Sequence, residues 1–351
     1  MRIYDYSFLK NGKVPANLIN LLTSVHVLKN NNDIRKNNYP KIYTELEKIA
    51  IVQSVKGSNA IEGIITSDER LNAIVNQNSA PLNHDEIEIA GYRDALNKIH
   101  LGFNDISFDE TNILSLHEIM LNKSKPELSG KYKQVDNVIL EIDSEGKRRI
   151  RFKPTPASKT KEAMEQLILA YMEARDDYEI NRLLLIPCVI LDFLCIHPFS
   201  DGNGRMSRLL TLLLLYKAGF DAGKYISFEE QINKYKSYYY EALRKSSIDW
   251  DVNENDYFYF VENFLFTLCT CYKELDKRFA TINSKKISKT SRIEATVLNS
   301  LTPISKQEIS NILPDVSPTT IEAVLGQMMR ENKIIKVGTG RNTHYIRKSN
   351  F

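Results

Sequence analysis

From Ile42 through Phe279 the apolar residues of this chain recur mainly at helical spacing. In YTELEKIAIVQSVKG, Leu46, Ile49, Ala50, Ile51 and Val55 fit the buried side of an amphipathic helix, and SLHEIML around His117 reads as a helical core segment. An apolar run holding Cys188 and Cys195 leads to His197 and predicts a core helix; Pro187 within it either starts or kinks that helix, and the pattern leaves both open. RLLTLLLLYKAG predicts a second buried helix, closed by Gly219. One segment breaks the rhythm. SGKYKQVDNVILEIDSEGKRRIRFKPTP changes to short β-prone runs around a Ser-Glu-Gly turn, which predicts a hairpin. Residues 1 to about 40, with Asn and Lys crowded between Asn30 and Asn38, predict an N-terminal arm with a loop.

Near Asn283 the composition shifts to SKKISKTSR, a polar basic linker. Beyond it, RIEATVLNSL, SKQEISNIL and SPTTIEAVLGQMMREN predict three short helices. Ser305 and Ser317 are their N-caps, Glu308 completes a capping box and Pro318 takes a first helical position. KIIKVGTGRNTHYIR then predicts two strands around a Gly-Thr-Gly turn. Three helices and a hairpin in this order resemble a winged helix-turn-helix domain, which implies DNA as a partner, with the third helix in the major groove. That helix offers Thr319, Thr320 and Gln327 but no basic residue before Arg330, so a protein-docking or dimerising role stands equally open. Lys333, Lys336 and Arg341 would carry any DNA contact of the wing.

The densest chemistry lies in HPFSDGNGRMSR, His197 to Arg208. A histidine, an acid, a glycine-flanked asparagine and two arginines fall in one loop and helix start, where glycines let backbone amides approach an anion and the helix dipole favours it. Arg205 and Arg208, three apart, share a face of the first turn. The loop is neither GxxxxGK[ST] nor GxGxxG. It resembles HxFx[DE]GNGRxxR, the signature of the Fic (filamentation induced by cAMP) family, at every defining position. The resemblance implies an ATP-dependent protein adenylyltransferase that moves AMP to a Ser, Thr or Tyr hydroxyl of an unknown target protein. His197 is then the general base, Asp201 the ligand of Mg2+, and Gly202, Asn203 and Gly204 the anion cradle. Arg205 and Arg208 neutralise the distal phosphates, Met206 and Ser207 complete the ATP-binding stretch, and Phe199 anchors the loop.

SNAIEG, Ser58 to Gly63, resembles the [ST]xxxE[GN] inhibitory motif of the same family. Ser58 and Glu62, four apart, share a helix face. The implied brake is an ion pair of Glu62 with Arg208, which takes the arginine meant for the γ-phosphate. The hairpin resembles the family's flap, with Val138 and Ile139 touching nucleotide and target, and Lys133 in GKYK stands where many relatives carry arginine. KSYYYEALRK resembles the helix on the adenine side, with Tyr239 and Tyr240 as its pair. Self-modification and the reverse removal of AMP by water are further reactions this reading allows. GNGR, in place of an ANKR-like variant, favours AMP over phosphate transfer.

With 351 residues, 42% of them hydrophobic and 26% charged, the chain has length for two or three domains. The expected division is an N-terminal helical region with the inhibitory helix (1–105), a Fic core (106–282) and the winged helix domain (283–351). The expected fold class is all-α with a small β-hairpin flap. Basicity is local: from Ser284 onward 11 Lys and Arg face 5 Asp and Glu, against 36 and 39 before it. MRIYDYSFLKNGKVP has no apolar core of a signal peptide, and the longest apolar run is too short for a bilayer, so a cytoplasmic enzyme without a membrane partner is expected. Cys188, Cys195, Cys269 and Cys271 sit at core spacings and are expected as reduced thiols. His26, His84, His100, His117 and His344 form no zinc-ligand spacing. A rival reading is a DNA-binding regulator whose Fic-like site senses nucleotide.

Overall fold

A computed structural model describes residues 2–142, 148–283, 288–298, 300, 303–338, 340 and 343–348. The chain is predominantly helical. It opens with α1 (Phe8–Asn11), α2 (Ala16–Asn38), α3 (Pro40–Ile61), α4 (Asp68–Asn76), α5 (His84–Gly102) and α6 (Glu110–Leu121). The hairpin β1 (Ile139–Ile142) and β2 (Arg148–Phe152) follows. Next come α7 (Ala157–Asp176), α8 (Arg182–Ile196), α9 (Asn203–Lys217), α10 (Phe228–Lys234), α11 (Lys236–Ser246) and α12 (Phe258–Asn283). The C-terminal part holds α13 (Lys289–Leu298), β3 (Ile304–Ser305), α14 (Lys306–Ile312), α15 (Pro318–Arg330), β4 (Ile334–Val337) and β5 (His344–Arg347).

The pair α8 and α9 forms the centre, with α7 and α12 against α8 and α3 and α5 against α9. Every residue of α8 after Arg182 is buried, and the helix runs through Pro187 to His197. All four cysteines are free and buried. The loop between α8 and α9 is the HPFSDGNG segment, so two deeply buried helices fix both of its ends. Helix α3 approaches α10 backbone to backbone at Gly57, where a Cβ would lie 2.8 Å from the Glu230 nitrogen. Only glycine permits that approach, one turn before Glu62.

The N-terminal stretch is not a loop. Asn30 to Asn38 belong to α2, which lies along α12 and buries Leu18, Val25 and Asn32. Its polar residues have partners: Lys29 with Asp33 at 2.6 Å, Lys36 with Asp221 at 2.5 Å, Arg35 with Asp276, and the Tyr43 hydroxyl donating to Asn32 Oδ1 at 2.7 Å. Tertiary contacts override the weak helix propensity of Asn here. Earlier still, Arg2 and Tyr6 reach into the core. The Asp192 carboxylate in α8, completely buried, accepts from Arg2 at 3.0 Å, Tyr6 at 2.7 Å, Trp250 at 2.6 Å and Tyr257 at 2.9 Å. Burial pushes its pKa up, and these donors offset the cost of sealing the group away.

Strands β1 and β2 pair antiparallel, Ile139 with Phe152 and Leu140 with Ile150. The Ser-Glu-Gly turn lies outside the described residues. An isolated two-stranded ribbon is marginal in water, and this one is supported where the Phe152 ring meets Trp250 edge-on at 6.2 Å.

The basic linker is shorter than its composition suggests. Helix α12 continues to Asn283 and α13 already starts at Lys289, because Arg292 is buried and holds Asp315 through two bonds of 2.7 Å. Ser305 and Glu308 make the capping box, and Ser317 caps α15 with Pro318 in its first turn. The three strands are ordered β3-β5-β4, all antiparallel. Lys333 is engaged by Glu294 at 3.2 Å and Glu331 at 2.7 Å, while Arg341 and the Thr339 of the turn lie outside the described residues. Helix α14 packs against α3.

Candidate active site

A cleft of about 550 Å³ opens between the α8–α9 loop, the hairpin, the end of α3 and α11. His197, Asp201, Gly202, Asn203, Gly204, Arg205, Arg208, Glu62, Val138, Ile139, Tyr239 and Tyr240 all line it, so residues from four distant stretches of sequence converge. Met206 and Ser207 do not. Met206 is wholly buried, and Ser207 points inward with its hydroxyl donating to the Gly204 carbonyl at 2.8 Å. Helical periodicity accounts for this: with Arg205 and Arg208 on the cleft face, the two residues between them turn toward the core.

His197 ends α8 in the left-handed region, φ 51°, which swings its ring out of the helix axis toward the cleft. Its Nδ1 lies 3.3 Å from the Leu194 carbonyl. An N–H there leaves the Nε2 lone pair free to accept a proton. Burial, aided by the charges of Lys133 and Arg151, pushes the His197 pKa down to about 4. The ring is therefore neutral at pH 7, more completely than an ordinary histidine near 6.5. The Glu62 charge holds this pKa up, so in a variant freed of Glu62 the acid limb of kcat/KM is expected no higher than about pH 4, with a flat rate from about pH 8 to about pH 5. A pH–rate profile checks this, and a limb near 6.5 would mean that the ring is solvated.

Gly202 sits at φ 80° and starts α9, whose first residues line the cleft and whose first N–H groups have no partner within the helix. Asn203 contributes its backbone alone to this cradle. Its side chain clasps the loop, accepting from the Phe199 N–H at 2.9 Å and donating to the Phe199 carbonyl at 2.7 Å. Phe199 is fully buried and stacks on His117 at 3.7 Å. His117 in turn accepts from the Gly130 N–H at 3.0 Å and meets the Asp201 carbonyl at 3.1 Å. Burial lowers its pKa to about 4, so this histidine is a neutral strut under the loop. Lys133 needs no guanidinium for what it does. It donates to Asn137 at 2.8 Å and to the Ile196 carbonyl at 3.1 Å, tying the hairpin base to the end of α8.

Charge pairing is where the structure adds most to the sequence. Arg205 is buried against Glu88 of α5 at 2.6 Å, and Lys125 bridges Glu88 at 3.0 Å and Asp201 at 2.6 Å. Burial pushes the Asp201 carboxyl up, but Lys125 and Arg205 outweigh it and leave the group below its ordinary value. Neither Glu88 nor Lys125 belongs to a motif, and no spacing in the sequence signals them. Among the described residues no three His, Cys, Asp or Glu side chains form a metal cage. A single carboxylate oxygen already facing a cation nevertheless fits Mg2+, which keeps its waters and shares phosphate oxygens.

Arg208, buried, donates from Nη2 to Glu62 Oε1 at 2.8 Å and to the Ser58 carbonyl at 3.0 Å, and from Nε to Ser58 Oγ at 2.8 Å. The Glu62 carboxylate lies on the bare face of Gly204, where a Cβ would stand 2.4 Å from Oε1. Gly63, at φ 81°, stops α3 just beyond it. On the other side Tyr239 and Tyr240 meet edge-on at 5.5 Å, Tyr239 buried.

The model of the Fic/DOC family matches residues 107–215, the stretch from α6 through most of α9. The chain carries a Fic/DOC domain. A protein adenylyltransferase Fic of Nematostella vectensis is 25% identical over 209 residues, 57% of this chain and 44% of that protein. A Fido domain-containing protein of Dictyostelium discoideum is 35% identical over 85 residues, 24% of this chain and 57% of that one. The matched regions thus span about half the length of these curated relatives. A Fic family protein from Desulfovibrio desulfuricans G20 has the same fold along nearly the whole chain, with a TM-score of 0.62 at 18% identity, covering 97% of this chain and 98% of the other. The Fic/DOC domain thus owns the loop, His197 and both arginines, while Glu62, Glu88, Tyr239 and Tyr240 reach the cleft from outside the matched span. Among the described residues no helix is long and apolar enough to cross a membrane.

Proposed function

We propose that the protein is a self-inhibited protein adenylyltransferase, moving AMP from ATP to a Ser, Thr or Tyr hydroxyl of a protein. The observation that carries this reading is the Glu62 carboxylate lying on Arg208 and Gly204, at a helix start built for phosphate, with a neutral His197 lining the same cleft. His197 Nε2 takes the proton of the incoming hydroxyl. The hydroxyl oxygen then bonds to the α-phosphorus as the bond to pyrophosphate breaks. Arg208 and the first N–H groups of α9 hold the distal phosphates once Glu62 withdraws. Tyr239 and Tyr240 flank the base. Asp201 would hold Mg2+ after Lys125 leaves it, and the metal supplies positive charge for the phosphate chain.

Incubating the chain and its Glu62→Gly variant with ATP labelled at the α or the γ phosphate tests the reading. Label on protein from the α position alone is expected. Transfer of the γ label would instead mean a phosphotransferase, and nucleotide binding with no transfer would mean a sensor. For the C-terminal unit, the order helix, strand, helix, helix, strand, strand supports a winged helix. The pairing of Lys333 with Glu294 and Glu331 favours a docking role over DNA, with a gel-shift titration at two salt concentrations as the test.

A further inference from the structure

Arg151 stands out among the cations of the cleft. Arg205 is held by Glu88, Arg208 by Glu62, and Lys125 by Asp201 and Glu88. Arg151, on β2 of the hairpin, also lines the cleft, yet among the described residues it makes no ion pair, and its Nε is buried without an acceptor. An unmatched guanidinium in that position is costly unless an anion completes it. Its charge is felt on two sides of the cleft, by the His197 ring and by the Tyr240 phenol. The space between a base for the attacking hydroxyl and an aromatic wall for adenine is where the α-phosphate of a bound nucleotide would lie. The other candidate phosphate-binding groups, Arg208 and the start of α9, line the same cleft.

Resting on the adenylyltransferase reading, we propose that Arg151 is a catalytic residue that binds the non-bridging oxygens of the α-phosphate from the hairpin side. During transfer the hydroxyl oxygen adds to the α-phosphorus, its proton passes to His197, and pyrophosphate leaves with the electrons of the broken P–O bond. The group that stays throughout is the AMP phosphoryl. A forked cation on its two free oxygens stabilises charge that grows at attack and does not depart with pyrophosphate. An acidic side chain of a target protein is the competing occupant. The shared facing of His197 favours the phosphate, because a target carboxylate there would sit where the attacking hydroxyl must go.

The test is equilibrium binding of AMP and of adenosine to full-length Glu62→Gly, with and without Arg151→Met or Arg151→Lys, alongside the rate of α-label transfer. Arg151→Met is expected to weaken AMP about tenfold, the loss of one charge-assisted contact, and to leave adenosine unchanged. Transfer should fall further than AMP affinity does, and Arg151→Lys should recover part of both. Unchanged AMP affinity with slower transfer to protein would assign Arg151 to the target and overturn the proposal. So would equal weakening of AMP and adenosine, which marks a distorted hairpin. A Glu62→Gly parent that binds neither ligand would overturn the nucleotide reading itself and this inference with it, whereas a parent that binds both equally well would refute a phosphate contact alone.

Discussion

Glu62→Gly is expected to raise transfer of AMP by one or more orders of magnitude over the unaltered chain. The carboxylate now accepts from Arg208 at 2.8 Å and covers Gly204, so a triphosphate entering the cleft finds both its arginine and its helix N-terminus taken. ATP forced to one side presents its α-phosphorus off line, and displacement of reacting atoms by about 1 Å costs on the order of a hundredfold. The same variant leaves the buried Arg208 with Ser58 as its partner, short of one anion. ATP should therefore raise its melting temperature more than that of the unaltered chain, since at one concentration the tighter-bound ligand stabilises more, by RT ln(1 + [L]/Kd). Adding Arg208→Ala should erase both gains. Equal rates in the variant and its parent would reduce SNAIEG to an ordinary helix end.

His197→Ala is expected to abolish transfer, by at least a factor of about 10² to 10⁴, while ATP binds with nearly unchanged affinity. The other groups at the loop are engaged: Asp201 with Lys125 at 2.6 Å, Asn203 with Phe199, and His117 with the Gly130 N–H and the Asp201 carbonyl. Histidine already bears the cost of a Cβ at φ 51°, so alanine adds little backbone strain, and its loss of stability reflects the ring's lost packing. His197→Asn suits that backbone conformation and lacks a proton acceptor of comparable basicity, so both variants should be dead. Transfer by either at near the parent rate removes His197 from the mechanism.

The loop from His197 to Arg208 and the capping box at Ser305 could be read directly, because each is set by chemistry at short sequence separation, whereas the reach of Glu62 to Arg208, 146 residues apart, came only through the resemblance of SNAIEG to a family motif. What stayed hidden depends on partners far away in sequence. Asn30 to Asn38 look like loop until α12 is packed beside them. Arg205 looks free for phosphate until Glu88 is brought to 2.6 Å, and Asp201 looks open to a metal until Lys125 arrives. Met206 and Ser207 are a different case, since their inward facing follows from the helical period once the two arginines are assigned to the cleft. That step was available from the sequence.

The buried Asp192 carboxylate has a consequence for the order in which the molecule comes together. Its donors lie 190 residues away at Arg2, 186 at Tyr6, 58 at Trp250 and 65 at Tyr257. Until those segments arrive, the charge has to remain hydrated, and α8 cannot be sealed on that side however readily it forms as a helix. Contacts of such long range are slow to form. The helix that aims His197 is thus packed on this side only when the segments holding Arg2 and Tyr6 and those holding Trp250 and Tyr257 have closed on it, so on the adenylyltransferase reading a chain truncated before Trp250 is expected to transfer no label.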